Sequence, residues 1–260
     1  MLPVLVNLGP IKIYTFGVFL MLAFFWGSFL LWKNIRLTSF SEEDIFDGLF
    51  LALAGALLGG RLLHVILNFA DFGFNLLKFI LINGYPGLNF YGGLFGGLVV
   101  LYLFFLSKKI KFQQVADYFI GPIFIALGFG WLGNFFSQTP VELTFFYRAI
   151  LFFAGFILGQ KLLFDIRREK YPSGFLFYFF AWFTAGVNFL FDKLKINGLY
   201  WKGLTLDGLI SGLIFLATSF YFIYYFRKTI IAYAKNSYQK IYQRARELFR
   251  KRVGKGKKTD

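Results

Sequence analysis

Long apolar stretches separated by short polar turns run through most of the chain. Seven of them are close to the roughly 20 residues that a helix needs to cross a bilayer. They fall near residues 11–32, 45–69, 90–106, 115–136, 141–164, 173–192 and 204–226. The third is short. Only Ser137-Gln138-Thr139-Pro140 separates the fourth from the fifth, so those two form a tight antiparallel hairpin. A helix satisfies its own backbone hydrogen bonds in lipid, which an irregular loop cannot do. The pattern predicts an all-α integral membrane protein, with a seven-helix transmembrane domain over 1–226 and a basic tail over 227–260. The stretch from Phe69 to Asn89, with Asp71, Gly84, Pro86 and Gly87, reads as a short interfacial element between the second and third spans.

Composition agrees with that class. The 260 residues are 58% hydrophobic, 23% aromatic and only 16% charged, far more apolar than a soluble domain. Residues 1–10 carry neither a basic segment nor a small-residue cleavage site, so the first run is read as a retained helix. Cysteine is absent, which excludes disulfides and a catalytic thiol of the chain's own. Any thiol chemistry must come from a substrate. No metal cluster or cofactor is expected.

Charge sets an orientation. Lys33 and Arg36 follow the first span, Lys108, Lys109 and Lys111 the third, Arg167, Arg168 and Lys170 the fifth, and the basic tail the seventh. These four regions share one side of the membrane. The opposite loops hold Lys78 and, between the sixth and seventh spans, Lys193, Lys195 and Lys202. The positive-inside bias places the N-terminus outside and the C-terminus in the cytoplasm. Of the net charge of +15, the tail supplies +10, with twelve Lys or Arg against Glu247 and Asp260. Tyr233, Tyr238, Ile241, Tyr242, Leu248 and Phe249 interleave with those bases, as in an amphipathic helix on anionic lipid headgroups. Nucleic acid is the less favoured partner, because the membrane is the nearer anionic surface.

Polar residues within the spans are costly and mark function or structure. Arg61 follows Gly59-Gly60 and suits a lipid phosphate, the alternative being a side chain that snorkels to the interface. His64, the only histidine, lies on nearly the same helical face and is a candidate base. Gly92, Gly93, Gly96 and Gly97 give the third span a smooth face for close packing, with Asn89 as its N-cap. Tyr91 sits at the entrance of that span. Asp117 favours the positive end of its own helix. Glu142 and Arg148 are six residues apart, share no face, and each needs a partner from another helix. Gly130-Trp131-Leu132-Gly133-Asn134-Phe135 puts two glycines and an amide at the end of a lipid-facing span.

These pieces resemble the phosphatidylglycerol-prolipoprotein diacylglyceryl transferase family over most of the chain, from Leu8 to about Phe226. Leu8-Gly9-Pro10-Ile11-Lys12-Ile13-Tyr14-Thr15-Phe16-Gly17 is similar to the family's Gly-x-Ile-x-Ile-Tyr-x-Tyr-Gly. Asp44, Gly-Gly-Arg61-Leu62, Phe90-Tyr91-Gly92-Gly93, Asp117, Pro122 and Gly130 to Phe135 follow in the family's order. The resemblance implies a bacterial inner-membrane enzyme that moves the diacylglyceryl group of phosphatidylglycerol to the lipobox cysteine of prolipoprotein signal peptides, releasing glycerol phosphate. It implies catalytic roles for Tyr91, Asn134 and His64, and lipid binding by Arg61, Gly92, Gly93, Gly133 and Arg148.

Three family positions are substituted. The family's signature Gly-Arg-Ile-Gly-Asn-Phe has Trp131 in place of its arginine, and Trp offers one N–H and no charge. The family's Arg-Phe-x-x-Glu-x-x-Arg aligns with Asn188 to Lys195, so its first arginine is Asn188 and its glutamate Asp192. Phe16 replaces a tyrosine. The family's insertion between the fourth and fifth spans is missing, since Thr139-Pro140-Val141-Glu142-Leu143 follows Asn134 almost at once. Two readings follow. One is an active transferase with its charge displaced to Arg148 or a loop lysine. The other is a relative that binds anionic phospholipid or lipoprotein precursors without turnover.

Overall fold

The computed structural model of the protein describes residues 4–8, 11–73, 79, 87–138, 142–192 and 205–227. Seven helices in it are long and apolar enough to cross a membrane: α1 (Thr15–Ile35), α2 (Glu42–Leu67), α4 (Phe90–Ser107), α5 (Phe112–Ser137), α6 (Leu143–Arg167), α7 (Phe175–Asp192) and α8 (Leu206–Arg227). A single turn, α3 (Phe69–Phe72), follows α2 and ends at Gly73, whose φ of +57° suits a residue without Cβ. The tail beyond Arg227, the loop residues Lys78, Lys193, Lys195 and Lys202, and most of the expected interfacial element lie outside the described residues.

The first span does not begin at Ile11. Ile11–Tyr14 forms strand β2, antiparallel to β1 (Val4–Leu8), with Leu8 opposite Ile11 and Val6 opposite Ile13. Here Ile11 and Ile13 alternate with Lys12 and Tyr14, a period of two that suits a strand. The apolar run of α1 hides this change of period, because it starts without a polar break at Thr15.

Large apolar side chains point outward along the spans, among them Met21, Leu213 and Phe220, each at least 70% exposed. In a bilayer that surface meets acyl chains. Inside, Phe124, Phe152, Leu176 and Phe180 pack where α5, α6 and α7 meet, and Leu31, Ile35, Ile45, Phe105 and Phe119 fill the space among α1, α2, α4 and α5. The α2–α4 seam is built on glycine. A Cβ on Gly59 would lie 2.5 Å from the Gly92 carbonyl oxygen, and one on Gly92 2.5 Å from that of Gly59. Backbones this close supply the van der Waals contact that holds helices together in lipid.

Polar caps join the helices at their ends. Ser41 accepts from the Asp44 amide to cap α2, and Asn89 accepts from the Gly92 amide (2.9 Å) to cap α4. Asp117 does not serve the start of its own helix. Its carboxylate accepts from the Gly174 amide (2.6 Å) and the Phe177 amide (3.1 Å), so it neutralises the positive end of α7. The reversal at Gly174, φ +89°, brings that helix start onto α5. At the same end Lys108 pairs with Asp44 at 2.6 Å, a contact that holds the ammonium above the ordinary lysine range, and Arg167 donates to the Asn34 carbonyl. The basic residues that follow α1, α4 and α6 therefore gather at one end of the bundle.

Candidate functional site

At the opposite end the terminal turns of five helices surround a small cavity of about 50 Å³. The start of α4 contributes Phe90 and Tyr91, α5 Trp131, α6 Arg148, α7 Asn188 and Asp192, and α8 Asp207 and Ser211. The space exceeds what one water needs.

Arg148 carries the cavity's positive charge and is 5% exposed. Its guanidinium carbon lies 4.6 Å from the centre of the Trp131 ring and 5.2 Å from that of Phe191. Trp131 in turn stacks on Phe145 of α6, with ring centres 5.7 Å apart. One guanidinium nitrogen donates to Asn188 Oδ1 at 3.4 Å. Arg148 Nε, Trp131 Nε1 and Asn188 Nδ2 are buried without a hydrogen-bond partner among the described residues. Leaving a buried donor unmet costs roughly 1–3 kcal/mol. All three are donors, so the complementary ligand is rich in acceptors, as an oxyanion is.

Oxygen-bearing side chains form the other wall. Tyr91, 1% exposed, hydrogen-bonds through its hydroxyl to Ser211, and Ser211 donates to the Asp207 carbonyl. Asn89 donates to Asp207 Oδ1 at 3.1 Å, which ties the start of α4 to the start of α8. Asp192, 3% exposed, accepts from the Thr205 amide (3.0 Å) and from the Thr205 hydroxyl, and so holds the residue that caps α8 by accepting from the Gly208 amide. One guanidinium thus faces two carboxylates and a phenol across the cavity, an arrangement suited to proton removal beside an anion.

Residues 3–224 match the prolipoprotein diacylglyceryl transferase family. The chain belongs to that family. A phosphatidylglycerol-prolipoprotein diacylglyceryl transferase of Streptococcus suis strain 05ZYH33 is 26% identical over 239 residues, covering 82% of this chain and 88% of the relative. One from Streptococcus pneumoniae strain Hungary19A-6 is 29% identical over 224 residues, 86% of this chain and 78% of the relative. One from Wigglesworthia glossinidia brevipalpis is 30% identical over 143 residues, about half of each chain.

For this transferase-family chain the fold brings five of the residues singled out in the sequence into one cavity: Tyr91, Trp131, Arg148, Asn188 and Asp192. The hydrogen-bond partner that Arg148 finds on another helix is Asn188, on α7. The remaining candidates lie outside the cavity lining. Arg61, 2% exposed, donates to the carbonyls of Phe79 (2.8 Å) and Gly87 (3.0 Å) and covers the Phe72 ring. His64 packs edge-on to Phe72, its Nδ1 lies 3.4 Å from Asn68 Nδ2, and a Cβ on Gly87 would collide with its ring. Gly92 and Gly93 face α2, Gly93 close to the Ala56 carbonyl. Gly133 meets α1, where a Cβ would lie 2.8 Å from Phe19 and 3.1 Å from Phe16. Asn134 is half-buried on α5. Asp207 and Ser211 were missed, although a carboxylate and a hydroxyl four residues apart at the start of the last apolar run mark one polar helix face.

Proposed function

We propose that the protein transfers the diacylglyceryl group of phosphatidylglycerol to the cysteine sulfur of a prolipoprotein signal peptide. The supporting observation is the set of unmet donors on Trp131, Arg148 and Asn188 around one buried guanidinium. In the reaction the thiolate sulfur forms a bond to the terminal glycerol carbon of the diacylglyceryl group. The carbon–oxygen bond to phosphate breaks, and its electron pair stays on glycerol phosphate. Negative charge then grows on the phosphate oxygens, and donors already in place stabilise it without reorganisation. Arg148 takes the role that the substituted arginines hold elsewhere in the family. Trp131 is the surface on which that guanidinium rests, and Asn188 orients it. Tyr91 holds the opposite wall through Ser211. Because Arg148 supplies the charge that turnover requires, the reading as a binding relative without turnover is set aside.

Arg61, in this account, positions the chain between α2 and α4. The end that bears the basic loops faces the cytoplasm of a bacterial inner membrane, so the cavity opens toward the outer leaflet, where exported substrates arrive. The basic tail, residues 227–260, is a separate cytoplasmic unit that rests on anionic headgroups, with nucleic acid the less favoured partner.

The test uses purified protein in phosphatidylglycerol vesicles with a peptide carrying a lipobox cysteine. The peptide gains the mass of one diacylglyceryl group as glycerol phosphate is released in equal amount. An unmodified peptide, with the protein folded and lipid bound, rules the activity out.

A further inference from the structure

The transferase reading leaves open which group receives the proton of the incoming thiol, and His64, Tyr91, Asp192 and Asp207 are each chemically able to. His64 is not in the cavity, and it is held against Asn68, Phe72 and Gly87. Tyr91 lines the cavity, but a phenol is a base only after losing a proton of its own, and its oxygen is engaged with Ser211. Asp192 is buried, with both oxygens occupied by Thr205 at the start of α8. Asp207 differs from all three. It lines the cavity, is half-buried, and among the described residues its side chain takes one hydrogen bond, from Asn89 to Oδ1. An acidic residue in the first turn of a helix would by itself be unremarkable. What distinguishes Asp207 is that it shares a cavity with Arg148, which is buried with an unmet Nε.

We infer that Asp207 is the general base of the transfer. This rests on the transferase reading. The thiol gives its proton to the Asp207 carboxylate, and the sulfur pair attacks the terminal glycerol carbon. The carbon–oxygen bond breaks toward glycerol phosphate, held by Arg148, and the departing phosphate takes the proton back from Asp207. Asn89, donating from Nδ2 to the Asp207 Oδ1, is a positioning residue that aims the carboxylate. General-base assistance contributes about 10²–10⁴-fold.

The test compares wild-type protein, Asp207→Asn and Asp207→Ser in phosphatidylglycerol vesicles, each given a cysteine peptide and its selenocysteine counterpart. A selenol is already ionised at neutral pH and needs no base. The expected result is a loss of at least about 100-fold on the cysteine peptide in both variants, with the selenocysteine peptide modified at close to the wild-type rate and lipid binding unchanged. Asp207→Ser keeps an oxygen in the first helical turn, so it reports even where the asparagine variant fails to fold. Variants that modify the cysteine peptide normally overturn the assignment, as does an equal loss on both peptides. A wild-type protein inactive on either peptide overturns the transferase reading, and this inference with it.

Discussion

The Arg148 guanidinium lies 4.6 Å from the centre of the Trp131 ring. Trp131 is on α5 and Arg148 on α6, so the indole and the charge meet across neighbouring helices. An aromatic face steadies a desolvated cation by roughly 0.5–2 kcal/mol. Arg148 also lies against Phe191 and donates to Asn188. On this account, α6 supplies the cavity's positive charge through Arg148, and α5 supplies the aromatic face beside it.

Trp131 offers both a ring face to Arg148 and a buried N–H donor. Trp131→Phe keeps a π-surface and should lose less than about tenfold in turnover, equivalent to about 1.4 kcal/mol. Trp131→Leu removes the π-surface and should lose more than the phenylalanine variant. Initial rates on the lipobox peptide check the order.

Arg61 should behave as a structural clamp. Removing its bonds to the Phe79 and Gly87 carbonyls by Arg61→Leu should cost on the order of 3 kcal/mol, read as a lower unfolding midpoint in detergent. Phosphatidylglycerol binding per folded molecule should change less than it does in Arg148→Ala. The reverse pattern would place Arg61 on the lipid phosphate.

At the α2–α4 seam, Gly59→Ala puts a methyl 2.5 Å from the Gly92 carbonyl oxygen. Overpacking of this kind costs about 1–3 kcal/mol and should lower folded yield. Gly130→Ala is the control. A Cβ there meets nothing within 4 Å, so stability should hold within about 0.5 kcal/mol.

The seven spans were legible because hydropathy is local. The helix ends were less so, since caps depend on contacts across the fold. Asn89 could be read as an N-cap from its place before Phe90, and it is one. Asp117 could not be read, because the amides it serves lie at the start of α7, more than fifty residues away. The strand pairing of Ile11–Tyr14 was hidden by continuous hydrophobicity into α1. In the site, Trp131 and Asn188 drew attention as departures from a motif, but their contact with Arg148 depends on how α5, α6 and α7 cross. Asp207 went unnoticed because one acidic residue at the start of an apolar run looks like an ordinary helix start.

Asp117 offers a separate check on helix docking. Asp117→Ala leaves the Gly174 and Phe177 amides without their acceptor and should cost about 1–2 kcal/mol. Asp117→Asn, which keeps one carbonyl oxygen, should cost less. Thermal unfolding of the two variants beside wild type decides the order.

The most direct measurement compares transfer rates of wild type, Arg148→Ala and the double variant Trp131→Arg with Arg148→Ala in phosphatidylglycerol vesicles. The account predicts that Arg148→Ala loses at least about 100-fold and that arginine at 131 in the double variant restores a large part of it. Arg148→Ala turning over at the wild-type rate would contradict the account.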